Sequence, residues 1–155
     1  MLDPSPPAVE AWAALKKLHA LLSRRLQHDY ARLNLTSAQY MALRDLLKGP
    51  STASALAAKQ GVTTANLTGV IDRLEAAGLV ERGRHVAPNG DRRAVTLSLT
   101  RKGEVLALEA RGTLRGTVQE LLSPLSEDAL AGLNATLKTL LAAVEAAEET
   151  KEVNA

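Results

Sequence analysis

Apolar residues recur at steps of three and four from about Ala8 to Leu33. Leu15, Leu18, Leu22 and Leu26 form one stripe of a long helix. Pro4, Pro6 and Pro7 read as a loose lead-in to it. A second helix is expected from Thr36 to about Leu47. There Thr36 and Gln39 fit a capping box, Leu35 and Tyr40 fit a hydrophobic staple, and Lys48-Gly49-Pro50 supplies the stop. A third helix runs from about Thr52 to Gln60 and closes at Gly61. A fourth runs from Thr63 to about Ala77, with Val62 and Leu67 as staple, and stops at Gly78. The period then changes from 3.6 to 2. Leu79 to Arg84 reads as one strand, and Val95, Leu97 and Leu99 alternate with Thr96 and Ser98 in another. Pro88, Asn89 and Gly90 mark the turn between them. Two strands alone are marginal, so this hairpin must lean on helices, with Val95, Leu97 and Leu99 as its inward face. Thr100 caps a fifth helix reaching Leu122, which Ser123-Pro124 breaks. Ser126 caps a sixth, with Leu125 and Leu130 as staple. In it Leu130, Leu133, Leu137, Leu140 and Val144 step by three, four, three and four, a coiled-coil-like seam. The acidic tail from Glu145 is expected to fray.

Composition narrows the class. The 155 residues have room for one domain or one and a half, and 46% hydrophobic content rules against global disorder. Aromatic residues make up 2% and Phe is absent, so the core must be built from Leu, Val, Ile and Ala. The chain has no cysteine, which excludes disulfides, thiolate metal sites and thiol redox chemistry. The first residues have neither a basic start nor an apolar core, so they do not read as a signal peptide. No apolar run approaches the ~20 residues needed to span a bilayer. No membrane association and a cytoplasmic location are expected. The net charge of +2 is unevenly spread: residues 1–100 carry 13 Lys/Arg against 8 Asp/Glu, and residues 101–155 carry 6 against 9.

Residues 53–72 satisfy the packing needs of a helix–turn–helix. Ala57 is small where a second helix must cross, and Gly61 tolerates the left-handed turn. Leu67, Val70, Ile71 and Leu74 give the second helix an apolar face, with Leu56 and Val62 to meet it. Thr64, Ala65, Asn66, Thr68, Gly69, Asp72 and Arg73 lie off that face. A helix in the major groove reads bases with its N-terminal side chains, where Asn suits adenine and Thr can hydrogen-bond or touch a thymine methyl. Gly69 costs helix stability and would leave bare backbone for close approach. Taken alone the pattern is moderately specific, since two short packed helices with a solvated polar face are the plainer reading and such pairs are common in Ala-rich chains.

The hairpin that follows adds Arg82, Arg84, His85, Arg92 and Arg93 against Glu81 and Asp91. A narrow minor groove attracts arginine. Asp91 is spaced to hold the Arg93 guanidinium in place. Asn89-Gly90 is also simply a good turn, and Arg92 and Arg93 would also serve as edge-strand charges. The order helix–turn–helix, hairpin, arginine-rich tip favours DNA contact over these plainer readings.

At residues 35–47, 62–82 and 90–104 the chain resembles the MarR family of transcription regulators. The matching residues are Asp91, Arg93, Leu99, Thr100 and Gly103 of the wing signature, and the Arg-Leu-Glu and Gly-Leu-Val patterns within 73–80. The resemblance implies a mainly α fold with a minor α+β character. Residues 35–100 would form a winged helix–turn–helix DNA-binding lobe, and residues 8–34 and 101–150 a helical dimerisation region. It implies an obligate homodimer through seams containing Leu15, Leu18, Leu22, Leu130, Leu133, Leu137, Leu140 and Val144. It further implies repression at a pseudo-palindromic double-stranded operator, relieved by a small-molecule effector bound between the dimer base and the lobe. The DNA-binding set is then Thr63, Thr64, Ala65, Asn66, Thr68, Gly69, Arg73, Arg84, Asp91, Arg92 and Arg93, with Arg93 entering the minor groove. No cofactor or metal is expected: three scattered His give no zinc spacing. Tyr40-Met41 stands where the urate-responsive branch has Trp-Asp, which argues against urate. The effector pocket is left unassigned. For Trp12, His19, His28, Tyr30, Tyr40 and Arg44, packing or exposure is the better reading.

Two other functions remain in view. A winged helix can serve only as a protein-interaction module, but such a form should lack the wing arginines. An enzyme is disfavoured, because no nucleophile triad, phosphate loop or paired metal motif occurs.

Overall fold

The computed structural model describes residues 5–83 and 95–153. Its elements are α1 (Pro6–Ala31), α2 (Ser37–Leu46), α3 (Ala53–Gln60), α4 (Thr64–Ala76), β1 (Val80–Gly83), β2 (Thr96–Leu99), α5 (Arg101–Leu122) and α6 (Glu127–Val153). The chain divides into two compact units at Arg115 and Gly116, within α5. The fold is mostly helical, with a two-stranded wing between helices, as the sequence predicts.

In the first unit, side-chain caps fix where helices begin. Thr36 and Gln39 form a reciprocal capping box: the Thr36 N–H donates to Gln39 Oε1 at 2.8 Å and the Gln39 N–H donates to Thr36 Oγ1 at 3.2 Å. Thr52 and Thr63 accept from the N–H groups of Ala55 and Asn66, each at 3.2 Å. Helix α1 starts earlier than its sequence suggests. Pro6 and Pro7 belong to its first turn, where a missing N–H costs nothing. It also ends earlier, because Asn34 turns left-handed at φ 55°.

The core joins the end of α1 to α2, α3, α4, the wing and α5 through Tyr30, Leu35, Tyr40, Leu43, Leu56, Leu67, Ile71, Leu74, Val80, Leu97, Ala107 and Ala110. Burying each Leu or Ile stabilises the unit by about 1.5–3 kcal/mol relative to exposure. Leu56 and Ala57 are buried on α3, as the helix–turn–helix pattern requires. Val62, expected to join them, is instead 42% exposed. It sits in the turn just after Gly61, whose φ of 64° reverses the chain before the packed face of α4 begins.

The wing strands are antiparallel, pairing Val80 with Leu99, Glu81 with Ser98, Arg82 with Leu97 and Gly83 with Thr96. The inward face differs from simple alternation. Val95 lies outside β2 and is 55% exposed, whereas Thr96 and Leu97 are both buried and Leu99 is half-buried. Thr96 is accommodated because its hydroxyl donates to the Gly83 carbonyl at 3.1 Å. The outer edge of β2 is partly covered as well. Ser51, in the α2–α3 connection, exchanges two backbone hydrogen bonds with Leu97 at 3.1 and 2.7 Å.

The joint between α4, β1 and α5 is tight. The Thr100 hydroxyl donates to Gly78 O at 2.7 Å and accepts from Gly103 N at 3.1 Å, and Lys102 Nζ donates to Ala77 O at 2.9 Å. A Cβ at Gly103 would stand 1.9 Å from Leu79 O, so this contact requires glycine.

The second unit holds the end of α5 and all of α6. The Ser126 hydroxyl accepts from Ala129 N at 3.3 Å, the expected cap. The acidic tail continues as helix to Val153 instead of fraying, because its Ala, Glu and Lys residues are strong helix formers. Leu133, Leu137, Leu140 and Val144 are exposed on α6, and Leu130 is half-buried.

Candidate nucleic-acid interface

Helix α4 presents two faces of opposite character. Leu67, Ile71 and Leu74 are buried, with Val70 half-buried, which fixes the helix's rotation about its own axis. The same rotation leaves Thr63, Thr64, Ala65, Asn66 and Arg73 exposed and Thr68 and Gly69 half-buried. Local hydrogen bonds then decide what these side chains can offer. Thr63 Oγ1 is occupied as the cap acceptor for Asn66 N. The Thr68 hydroxyl donates to Thr64 O at 2.8 Å, so it presents lone pairs and a methyl group but not its proton. The Asn66 amide makes no hydrogen bond among the described residues and keeps both donor and acceptor available. The Thr64 and Ala65 N–H groups stand in the first turn, where no intrahelical carbonyl reaches them.

Arg73 extends the polar face. Its Nη2 lies 3.9 Å from where a Cβ on Gly69 would be, so the guanidinium folds back along the helix over bare backbone. It makes no ion pair among the described residues. Arg82 differs, although the sequence groups it with the other wing arginines. It bonds Asp72 Oδ1 through Nη2 and Glu75 Oε2 through Nη1, the latter at 2.9 Å, and the bond to Asp72 chiefly raises its pKa. Arg84, Asp91, Arg92 and Arg93 lie outside the described residues, and so does the proposed Asp91–Arg93 pair.

One polar cluster escapes sequence reasoning. The Asp45 side chain on α2 is fully buried, and it receives Lys59 Nζ at 2.7 Å and Gln60 Nε2 at 3.0 Å from α3, with Arg44 Nη2 at 3.4 Å. Burial pushes its carboxyl up. The hydrogen bonds from Lys59 and Gln60, with the charges of Arg44 and Lys59, outweigh that and hold it below the ordinary 3.8. The network ties α2 to the first helix of the helix–turn–helix. The readable signal was a carboxylate set between Leu43 and Leu46 on an apolar face; its partners, fourteen and fifteen residues on, gave no local sign.

Of the aromatic residues on the first two helices, the two tyrosines lie in the core. Tyr30 and Tyr40 stack with ring centroids 4.5 Å apart, and burial, then the neighbouring Tyr40, pushes the Tyr30 phenol up to about 12. Trp12 is 63% exposed, and His19 and His28 are also exposed. No group of three His, Asp or Glu that could hold a metal occurs among the described residues.

Comparison with known proteins agrees with this geometry. A family model described as the MarR family matches residues 35–95, from the cap of α2 to the entry of β2. The HTH-type transcriptional regulator YcgE of Bacillus subtilis is 31% identical over 75% of this chain and 72% of its own length. The homoprotocatechuate degradative operon repressor of Escherichia coli is 29% identical over 72% of this chain and 74% of its own length. A solved structure of a mutant MarR from Escherichia coli complexed with operator DNA has a TM-score of 0.73 and 27% identity, covering 90% of this chain and 99% of that chain.

Proposed function

The chain belongs to the MarR family of winged helix–turn–helix DNA-binding transcription regulators, and on that premise we propose that it acts as a homodimeric repressor. It binds a pseudo-palindromic operator and leaves it when a small-molecule effector binds. The observation that carries the reading is the exposed first turn of α4, which offers Thr64, Asn66 and open N–H groups, with Arg73 exposed in the last turn of the same helix. In this reading α4 enters the major groove and Asn66 pairs with a base edge. Thr63, Ala65, Thr68 and Gly69 set the close fit, and Arg84, Arg92 and Arg93 of the wing reach the backbone and minor groove, with Asp91 steadying Arg93. A two-fold dimer demands half-sites ~34–36 Å apart. Repression is supported by the name of the Escherichia coli relative, a repressor of a degradative operon. A cytoplasmic site of action follows from this role.

The test is footprinting on the DNA upstream of the gene across a range of salt concentrations. Protection of an inverted repeat is expected. The logarithm of its affinity should fall linearly with log salt, with a slope of ~0.9 per phosphate contacted, and Arg93→Ala should weaken it. Equal affinity for every duplex at physiological salt overturns the reading.

A further inference from the structure

Asp72 and Glu75 stand three residues apart on α4, on the side that faces the wing, and Arg82 sits mid-strand in β1 opposite Leu97. Each terminal nitrogen of the guanidinium takes one carboxylate. The guanidinium is planar, so two fixed acceptors on α4 set its orientation and direct these donors at the helix. The chain passes from α4 to β1 through Ala77, Gly78 and Leu79 alone. Beyond the apolar packing of Val80 and Leu97, this ion triad links the exposed faces of helix and strand among the described residues.

We propose that Arg82 is a positioning residue, which locks the wing strand to the recognition helix through Asp72 and Glu75 and does not itself contact DNA. The inference rests on the DNA-binding reading above and deepens it. An operator must be met by α4 in one groove and the wing in the next, so an angle fixed before binding spares the entropy of ordering the two. The triad also offsets one of two negative charges on the helix that carries Arg73.

Two variants with opposite changes of charge separate positioning from contact: Arg82→Gln, and the double variant Asp72→Asn with Glu75→Gln. If Arg82 positions the wing, both lose operator affinity, by about tenfold, because each breaks the same coupled contact. Arg82→Lys, which keeps the charge but cannot fork, should behave like Arg82→Gln, and the salt slope should stay at the wild-type value in all three. If Arg82 instead contacts phosphate, the double variant binds more tightly and the salt slope of Arg82→Gln falls by ~0.9. That result overturns the proposal, as does wild-type affinity in all three variants.

A second readout is independent of DNA. The chain has no native cysteine, so spin labels at Ala65→Cys and Glu81→Cys, diluted with unlabelled chain, report the helix-to-wing distance. Arg82→Gln should broaden that distance distribution without lowering helical content; an unchanged distribution overturns the clamp. A wild-type protein that shows no operator preference, yet broadens on Arg82→Gln, would sink the DNA-binding reading and leave the clamp standing.

Discussion

Gly69 places stability and binding in opposition. A methyl group there would meet Arg73 Nη2 at 3.9 Å, an ordinary contact, so Gly69→Ala fits the folded helix. Ala is favoured over Gly inside a helix by about 1 kcal/mol, which in a domain of this size raises Tm by roughly 2–4 °C. If α4 meets DNA with bare backbone at this position, the same substitution lowers operator affinity. A calorimetric scan and a binding titration on one sample check both directions, and unchanged affinity removes Gly69 from the contact surface. Asp45 makes a different prediction, one of pH. Its folded pKa is depressed, so its contribution to stability is present above the ordinary 3.8 and is lost as pH falls through the lower folded value. Asp45→Asn should therefore destabilise the protein at pH 7 by about 2–3 kcal/mol, below the range for fully buried pairs because Lys59 is partly exposed. Denaturation curves of variant and wild type should converge as the solution is made acidic. The sequence displayed the outward residues of α4 because a helix period fixes its own complement: once Leu67, Ile71 and Leu74 are inside, Asn66 and Arg73 must be outside. It did not display the partners of Asp45 or Arg82, since polar contacts across seven to fifteen residues depend on how elements pack.

At the scale of elements, the legible features were those written into one turn of chain. Thr36 with Gln39, Thr100 and Ser126 cap where the sequence places caps, and Thr52 and Thr63, read there only as helix starts, also cap, because a cap needs only a hydroxyl and an N–H three residues on. The wing was harder. Alternation predicts which strand residues share a face but not where the strand begins, so Val95 looked like an anchor although the paired stretch starts at Thr96. The backbone exchange between Ser51 and Leu97 was also beyond reach, since Gly49-Pro50-Ser51 carries turn chemistry and no strand pattern. Gly103 shows how a motif residue acquires a reason. The wing signature includes it, and the structure supplies the cause: the first turn of α5 crosses the Leu79 carbonyl too closely for any Cβ. Gly103→Ala should thus force α5 away from the α4–β1 joint and strain the Thr100–Gly78 hydrogen bond. The expected cost is about 2 kcal/mol or more, from overpacking against backbone that cannot rotate aside. Chemical denaturation measures it, and a stability equal to wild type would mean that the joint is looser than these contacts require.

For the molecule as a whole, the apolar faces that no described residue covers matter most. In the first unit Trp12, Leu15 and Leu18 are 40–63% exposed along α1, while Leu22 is half-buried and Leu26 packs against the core. In the second unit Leu133, Leu137, Leu140 and Val144 are 39–57% exposed along α6. Single exposed leucines are ordinary, but a sustained heptad-like row is not, because solvated apolar stripes of that length promote association. The spacing was legible in the sequence, whereas the choice between core and interface was not, since periodicity specifies a buried face without saying what buries it. The homodimer proposed here supplies the missing cover. If it forms, the stability of the chain depends on its own concentration, and Tm should rise on concentrating the protein by mass action. Leu137→Glu sets a charge in the middle of the α6 row without touching the first unit's core. Sedimentation should then show monomer at concentrations where wild type is dimeric. Operator affinity should collapse because two half-sites can no longer be engaged together, while weak, salt-dependent binding to any duplex persists through each intact lobe. A Leu137→Glu protein that stays dimeric would move the interface away from this row, and one that is monomeric yet still holds the full operator tightly would show that a single lobe is enough.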